Sequence, residues 1–129
     1  MKKQFTSEFP TDLNSFDSEG NPMDYCGIRC ALEIMGGKWT LMIITSLTGS
    51  SMRFSEIKKE IPAISEKMLV RSLKHLEYHK LIIRNVLSKK PLKTEYSLTV
   101  YGQTIIPLIE NLNNWGKQHI EKHWNLVFQ

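Results

Sequence analysis

The segment from Ser55 to His79 constrains the fold most strongly, because it holds two amphipathic helical patterns that only three residues separate. Ser55 is placed to cap the first helix, and Pro62 ends it because proline lacks the N–H that a helix interior needs. Ser65 is placed to cap the second helix, which runs to about His79. Two helices joined by so short a turn predict a helix-turn-helix.

Two further helices are predicted before this segment. Asp24 is placed to cap the first, in which apolar residues recur at helical spacing until Gly36-Gly37 ends it. The second is short and runs from Trp39, expected in the core, to about Gly49.

A two-stranded ribbon and a long helix are predicted after it. Residues 81–87 and 94–98 are rich in β-branched and aromatic residues and predict strands around a polar turn at 88–93. Thr99 starts the final helix, in which Pro107 is expected to produce a kink. This order predicts a mainly α-helical chain with a small antiparallel β-wing, which is a winged helix-turn-helix.

The positive charge of the chain is concentrated in one stretch. Residues 51–93 hold eleven lysines and arginines against four glutamates, whereas residues 1–24 hold two lysines against five acidic residues. A basic footprint of this kind favours a polyanion as partner, and the alternative is a solvated lysine-rich face. Residues 1–24 show no clear periodicity and are predicted to form a loose acidic N-terminal arm.

The second helix of the predicted helix-turn-helix directs its cations outward. Because successive residues advance by about 100°, Leu69, Leu73 and Leu76 share one face and predict the side that packs on the core. The opposite face carries three cations and a tyrosine, with no acid among them: Lys67, Arg71, Lys74 and Tyr78. Such a face fits the major groove of DNA, and the alternative is an exposed amphipathic helix.

Position along this helix predicts different roles for its residues. The N-terminal half of a recognition helix usually reads bases, so Ser65, Lys67 and Arg71 are the predicted base readers. Lys74 lies further along and is predicted to contact a phosphate.

The predicted wing is basic as well. Arg84, Lys89, Lys90 and Lys93 lie within ten residues of one another, and no acid interrupts them. A basic ribbon tip suits the phosphates or the minor groove beside the recognition helix, and the alternative is a solvated hairpin. Lys38, next to the glycine pair, is predicted as a further phosphate contact.

Other functional classes find little support. No spacing supports a Ser/His/Asp or Cys/His nucleophile, and the GGK at 36–38 lacks the rest of a phosphate-binding loop. His75/His79 and His119/His123 have a spacing that can ligate a metal, but neither pair has an evident third ligand. We therefore expect no enzyme activity, no cofactor and no metal. Without a secretory signal or an apolar run of about 18 residues, the expected location is the cytoplasm.

Three segments carry a resemblance to a known family. They read LEIMGGKWT, RFSEIKKEIPAISEKMLVRSLKHLEYHKLI and EYSLTVYG. They resemble the HxlR-type transcriptional regulators, relatives of the MarR-like winged-helix proteins, over about residues 26–116. The resemblance implies a bacterial DNA-binding homodimer, formed by the first and last helices of residues 25–129, and repression as the commoner outcome. The arm of about 24 residues is longer than the family leads one to expect.

The final helix predicts a dimer independently of the resemblance. It carries a long stripe of mostly apolar residues: Tyr101, Ile105, Leu108, Ile109, Leu112, Trp115 and His119. Three further apolar residues lie beside this stripe: Ile106, Ile120 and Trp124. A monomer of this size has too little surface to cover so wide an apolar arc. Two-fold symmetry would place two recognition helices about one turn of DNA apart, or a multiple of it, on a pseudo-palindrome.

The two cysteines suggest a redox switch. Cys26 would lie in the first turn of the first helix, where the helix dipole favours a thiolate, and Cys30 would lie one turn later. In the resembling family a cysteine commonly occupies the position of Cys26, and some members use it to sense oxidants or electrophiles. The hypothesis is that its modification shifts the dimer between binding and non-binding states. The alternative is two half-buried thiols at a dimer interface.

The predicted partners are therefore double-stranded DNA and a second copy of the chain, with an oxidant or a small molecule as effector and no membrane. Two alternatives stay open. The effector can be a small ligand in the dimer interface, or the chain can be a winged-helix module that binds protein.

Overall fold

The fold is that of a computed structural model, which describes residues 27–127 and the side chains up to residue 123. The chain divides into two units between Gly37 and Lys38. The first unit contributes the helix α1 (Gly27–Met35). The second contains four helices, two strands and a short 3-10 helix among the described residues. These are α2 (Thr40–Ser46), α3 (Phe54–Glu60), α4 (Glu66–Tyr78), β1 (Ile82–Lys89), β2 (Leu92–Leu98), the 3-10 helix (Gly102–Ile105) and α5 (Ile106–Val127).

Helix α1 ends where the glycine pair predicts. The N–H of Gly36 donates to the carbonyl oxygen of Leu32 at 2.7 Å, and Gly37 has a φ of 102°, which glycine adopts without steric cost. The predicted cap Asp24 lies outside the described residues. No residue of α1 is buried, so its apolar residues Ile28 and Leu32 are exposed.

The helix-turn-helix is formed by α3 and α4. The prediction that Ser55 caps α3 is wrong: Arg53 is the N-cap, and its backbone N–H donates to Glu56 Oε1 at 2.8 Å. This cap uses a glutamate three residues ahead instead of a side chain at the cap position itself. The cap predicted for α4 is confirmed, because Ser65 Oγ accepts a hydrogen bond from the N–H of Met68 at 3.1 Å.

The core of the second unit is aliphatic. The prediction that Leu69, Leu73 and Leu76 form the inner face of α4 is confirmed, since all three are buried. They share the core with fully buried isoleucines from α2, α3 and the turn after it: Ile43, Ile44, Ile57 and Ile64. Burial of each such side chain stabilises the fold by about 1.5–3 kcal/mol, so the core fixes the orientation of α4.

The wing is an antiparallel ribbon, as predicted, but its strands are longer than predicted. The polar turn expected at 88–93 is wrong, because pairing continues to Lys89 and Leu92 and leaves Lys90 and Pro91 as the turn. Polar side chains do not stop the strands because both faces of the outer ribbon are open to water. A β-bulge between Val86 and Ser88 interrupts the register.

The start and the shape of the last helix differ from the prediction. Thr99 does not begin it: its hydroxyl donates to the carbonyl of Lys80 at 2.7 Å and accepts from the N–H of Gly102 at 2.8 Å, which fixes the 3-10 helix. The kink expected at Pro107 is wrong, because Pro107 is the second residue of α5 and the first turn of a helix tolerates proline. The non-helical residue inside α5 is His123, with φ −130° and ψ 26°.

Candidate DNA-binding interface

The outer face of α4 is exposed and basic. Lys67, Arg71, Lys74 and Tyr78 are all exposed, and Tyr78 retains 79% of its accessible surface. The buried leucines on the opposite side hold this orientation. Within the described part of the chain, none of the three cations forms an ion pair with an acid, so their charges are available to a polyanion.

The N-terminal end of α4 combines a cap with an exposed hydroxyl. Ser65 is exposed, and its oxygen accepts from the N–H of Met68. The hydroxyl proton is not used in that bond and can donate to an acceptor outside the protein. The same side chain can therefore hold the helix start and meet an incoming phosphate or base edge.

One residue on this face was missed by the sequence reasoning. Val70 is 41% exposed, lies one turn after Glu66 and one turn before Lys74, and flanks the cationic stripe. The same helical wheel that places Lys67 outward also places Val70 about 100° from Leu69. That angle places Val70 on the flank of the helix, and the structure shows that the flank is partly open to solvent there.

The wing exposes the four predicted cations Arg84, Lys89, Lys90 and Lys93. Arg84 and Lys89 lie five residues apart, so a regular strand would direct them to opposite faces. The bulge between Val86 and Ser88 adds one residue and returns them to the same face, whereas Lys93 pairs with Ser88 and faces the other side. The wing therefore carries positive charge on both faces.

Lys38 and Trp39 form a small cation–π pair at the start of the second unit. The Nζ of Lys38 lies 4.9 Å from the centroid of the Trp39 ring, which attracts the ammonium through its quadrupole. Lys38 is exposed, and Trp39 is half-buried, where the core was expected.

A family model for the HxlR-like helix-turn-helix matches residues 34–124. The chain belongs to the HxlR family. An uncharacterised helix-turn-helix-type transcriptional regulator of Methanothermobacter thermautotrophicus is 38% identical over 105 residues, which cover 81% of this chain and 80% of that protein. The family is one of DNA-binding transcriptional regulators and not of enzymes, so this chain is a transcriptional regulator of the helix-turn-helix type.

Solved structures agree with this assignment. A transcriptional regulator from Porphyromonas gingivalis W83, described as MarR family, superposes with a TM-score of 0.68 at 38% identity, covering 73% of this chain and 92% of that one. The oxidised form of the redox regulator HypR superposes with a TM-score of 0.68 at 32% identity, covering 72% of this chain and 96% of that one. The fold of this HxlR-family chain is thus that of the winged-helix MarR-type regulators.

The C-terminal end of α4 in this HxlR-family protein carries an aromatic and imidazole cluster. The rings of His75 and His79 lie 4.7 Å apart, and those of Tyr78 and His79 lie 5.1 Å apart, both edge to face. Partial burial lowers the pKa of His79 below its ordinary value, and the neighbouring His75 lowers it further. Both effects favour the neutral form of His79. Among the described residues, no group of three potential ligands could hold a metal ion.

Much of α5 in this HxlR-family chain is uncovered. Leu108, Leu112 and Trp115 are exposed, and Trp115 retains 66% of its accessible surface. The ring of Trp115 stacks on His119 at 5.2 Å with an interplanar angle of 6°. From the predicted stripe only Ile105 is buried. The side chain of Trp124 lies outside the described residues, and no described helix is long and apolar enough to cross a membrane.

The predicted redox residues fall on either side of the described boundary. Cys26 lies outside it, whereas Cys30 is a half-buried free thiol on α1. Next to it, Arg29 Nε donates to Glu33 Oε1 at 3.1 Å. The redox role of both cysteines stays a prediction.

Proposed function

We propose that this regulator is a homodimeric, sequence-specific repressor that binds a pseudo-palindromic operator in the cytoplasm. The observation that carries the proposal is the exposed cationic face of α4, directed outward by a fully buried leucine face. Such a helix fits the major groove of DNA, where donors meet base edges and phosphates.

The proposed contacts divide by position. Ser65, Lys67 and Arg71 lie at or near the N-terminal half of α4 and read bases, with arginine suited to a bidentate contact with guanine. The other cations of the predicted interface, together with Tyr78, contact the backbone: Lys38, Lys74, Arg84, Lys89, Lys90 and Lys93. These contacts position the protein on the duplex and make its affinity dependent on salt.

The proposed dimer uses the first and last helices. Each exposes large apolar side chains within its own unit: Ile28 and Leu32 on α1, and Leu112 and Trp115 on α5. Apolar surface of this extent favours a protein interface, and a symmetric dimer would cover the same patch on both copies.

The test compares two alanine variants on two DNAs by fluorescence anisotropy. Arg71→Ala should reduce affinity for the selected operator by about 5- to 150-fold for each half-site and affinity for random DNA much less, because a bidentate base contact is worth about 1–3 kcal/mol. Lys90→Ala should weaken both DNAs about equally and make the log–log salt slope shallower by about 2 per dimer. Equal effects of Arg71→Ala on both DNAs would remove it from the base readers. A protein-binding module would show no steep salt slope with DNA.

We also propose that oxidation or electrophile modification of Cys26 controls DNA binding. The similarity to the redox regulator HypR and the presence of Cys30 on α1 support it. Diamide should change the operator affinity of the wild type, and Cys26→Ser should abolish the response, with Cys30→Ser as the matched control. A Cys26→Ser protein with unchanged affinity and unchanged response would contradict the hypothesis.

A groove between α2 and α5 favours a second candidate, control by a small ligand. It has a volume of about 470 Å³, with Ile106, Ile109 and Asn113 in its wall. Thr45 and Thr48, also in the wall, donate their hydroxyl protons to backbone carbonyls at 2.8 and 3.1 Å. The oxygens of these threonines and the carboxylate of Glu110, which completes the wall, are left as acceptors. The groove therefore suits an apolar molecule that donates hydrogen bonds.

The test of this second candidate uses small aromatic amines as probes. They should alter operator affinity in the wild type and lose their effect in Glu110→Gln, since that change removes the carboxylate of the groove. If no amine alters operator affinity at millimolar concentration, control through this groove is wrong.

A further inference from the structure

Val70 is an aliphatic side chain that flanks the cationic face of α4. It is 41% exposed, whereas its neighbour Leu69 is fully buried. Lys67 lies three residues before it and Lys74 four residues after it, and residues at these separations are neighbours on a helix surface. Val70 is therefore flanked along the helix by two of the exposed cations.

Helix propensity does not favour a valine at this position. A β-branched side chain has restricted χ1 freedom in a helix and a lower helix propensity than alanine, arginine or lysine. At 41% exposure, packing on the rest of the protein compensates only in part. Single exposed apolar residues are common on protein surfaces, so exposure alone carries no function. What distinguishes Val70 is its place in the N-terminal half of the recognition helix, where its neighbours one turn away are Glu66, Lys67 and Lys74.

The chemistry of the major groove determines what such a side chain can recognise. Guanine, cytosine and adenine present donors and acceptors there, which a valine cannot satisfy. Thymine adds an apolar group, its C5-methyl, which aliphatic side chains contact. Covering a donor or acceptor with valine would leave it without a hydrogen bond, which costs binding free energy.

We propose that Val70 packs against the C5-methyl of a thymine in each half-site and thereby selects thymine at that position. The inference rests on the proposed function, because it requires α4 to lie in the major groove. It adds an apolar specificity element to the polar readers Lys67 and Arg71.

The experiment begins with selection of binding sites from a random DNA pool by the wild-type protein. Each thymine of the selected site is then replaced singly by deoxyuracil, which removes the methyl group and leaves base pairing and hydrogen-bonding edges unchanged. Affinities are measured for the wild type and Val70→Ala. This variant should fold, because alanine is the better helix former. Val100→Ala is the matched control, since Val100 is 85% exposed and lies outside both α4 and the wing.

One thymine position in each half-site should respond. Burial of a methyl-sized group contributes about 0.8 kcal/mol, so deoxyuracil there should weaken wild-type binding about fourfold in one half-site and about 15-fold in both. Val70→Ala should discriminate less between the thymine and uracil sites than the wild type does, because the shorter side chain makes a smaller apolar contact, and Val100→Ala should behave as the wild type.

The outcomes separate the inference from the proposed function. A selected site at which uracil has no effect, or weakens Val70→Ala as much as the wild type, overturns the inference and leaves the sequence-specific regulator intact. A selected site without thymine in its half-sites does the same. Failure of the wild type to select any sequence overturns both.

Discussion

Replacement of Trp115 by alanine should dissociate the proposed dimer. A fully buried tryptophan removes about 150–250 Å² from water. Because Trp115 retains 66% of its accessible surface in one protomer, a partner can bury about 100–165 Å² of it. At about 25 cal/mol per Å² this area corresponds to about 2.5–4 kcal/mol for each copy and about 5–8 kcal/mol for a symmetric dimer.

Only part of that free energy appears as affinity, since association also costs translational and side-chain entropy. With about half of it retained, Trp115→Ala should raise the dimer dissociation constant by a factor of about 100–1,000. Helix α5 itself should persist, because alanine is the strongest helix former.

Sedimentation equilibrium measures this change directly. Tyr78→Ala is the matched control: Tyr78 is an even more exposed aromatic residue on α4, and its removal should leave the proposed dimer unchanged. A Trp115→Ala protein that dimerises with wild-type affinity would show that the partner does not cover this part of α5. A wild type that stays monomeric at about 100-fold the protein concentration used to measure DNA binding would refute the proposed dimer itself.

Three further changes test the local structure. Ser65→Ala should destabilise the protein by about 1 kcal/mol through loss of the α4 cap, which thermal unfolding measures. Ser65→Asp should keep the cap but weaken DNA binding by repelling phosphates, which fluorescence anisotropy measures. Gly102→Ala should destabilise by about 3 kcal/mol or more in urea unfolding, because its Cβ would collide with the carbonyl oxygen of Leu81, while Gly116→Ala, with open space around it, should be neutral or stabilising. The folded-state pKa of His79 lies below its unfolded value of 6.5, so the unfolded chain takes up more protons on acidification. Its contribution to stability is therefore full above pH 6.5 and is lost as the pH falls through the lower folded-state pKa, and His79→Asn should flatten that part of the profile of unfolding free energy against pH.

The parts of the fold that local rules determine were predictable. Ser65 marks the start of α4 because a serine side chain can cap a helix by itself, and the wheel of leucines fixes which face of α4 is buried. The cationic face follows from the same wheel. For this reason the start of the candidate recognition helix and the orientation of its two faces could be predicted from the sequence.

The features that depend on pairing or on a distant partner could not be predicted. The cap at Arg53 depends on a glutamate that reaches back to a backbone N–H, which does not require any particular residue at the cap. The bulge after Val86 is set by the register of two strands, and it decides on which face Lys89 lies. The Thr99 hydroxyl donates to the carbonyl of a residue 19 positions earlier in the chain, and this bond delays the start of α5. Because local sequence does not show such a bond, the predicted helix begins too early and Pro107 falls in its interior.

The exposure of α5 links the stability of the protein to its proposed function. A helix in water gains most of its stability from packing an apolar face, yet every described residue from Glu110 to Trp115 is exposed in one protomer. If a second copy covers this stretch, the free energy of dimerisation also stabilises α5. Binding of the dimer to an operator with two half-sites then stabilises the dimer further. A signal that weakens the contact between α5 and the second copy then lowers DNA affinity without changing α4, because the two recognition helices lose their fixed spacing. The magnitude of regulation is accordingly limited by the dimer free energy, and a variant such as Trp115→Ala should be unresponsive to effectors as well as weak in DNA binding.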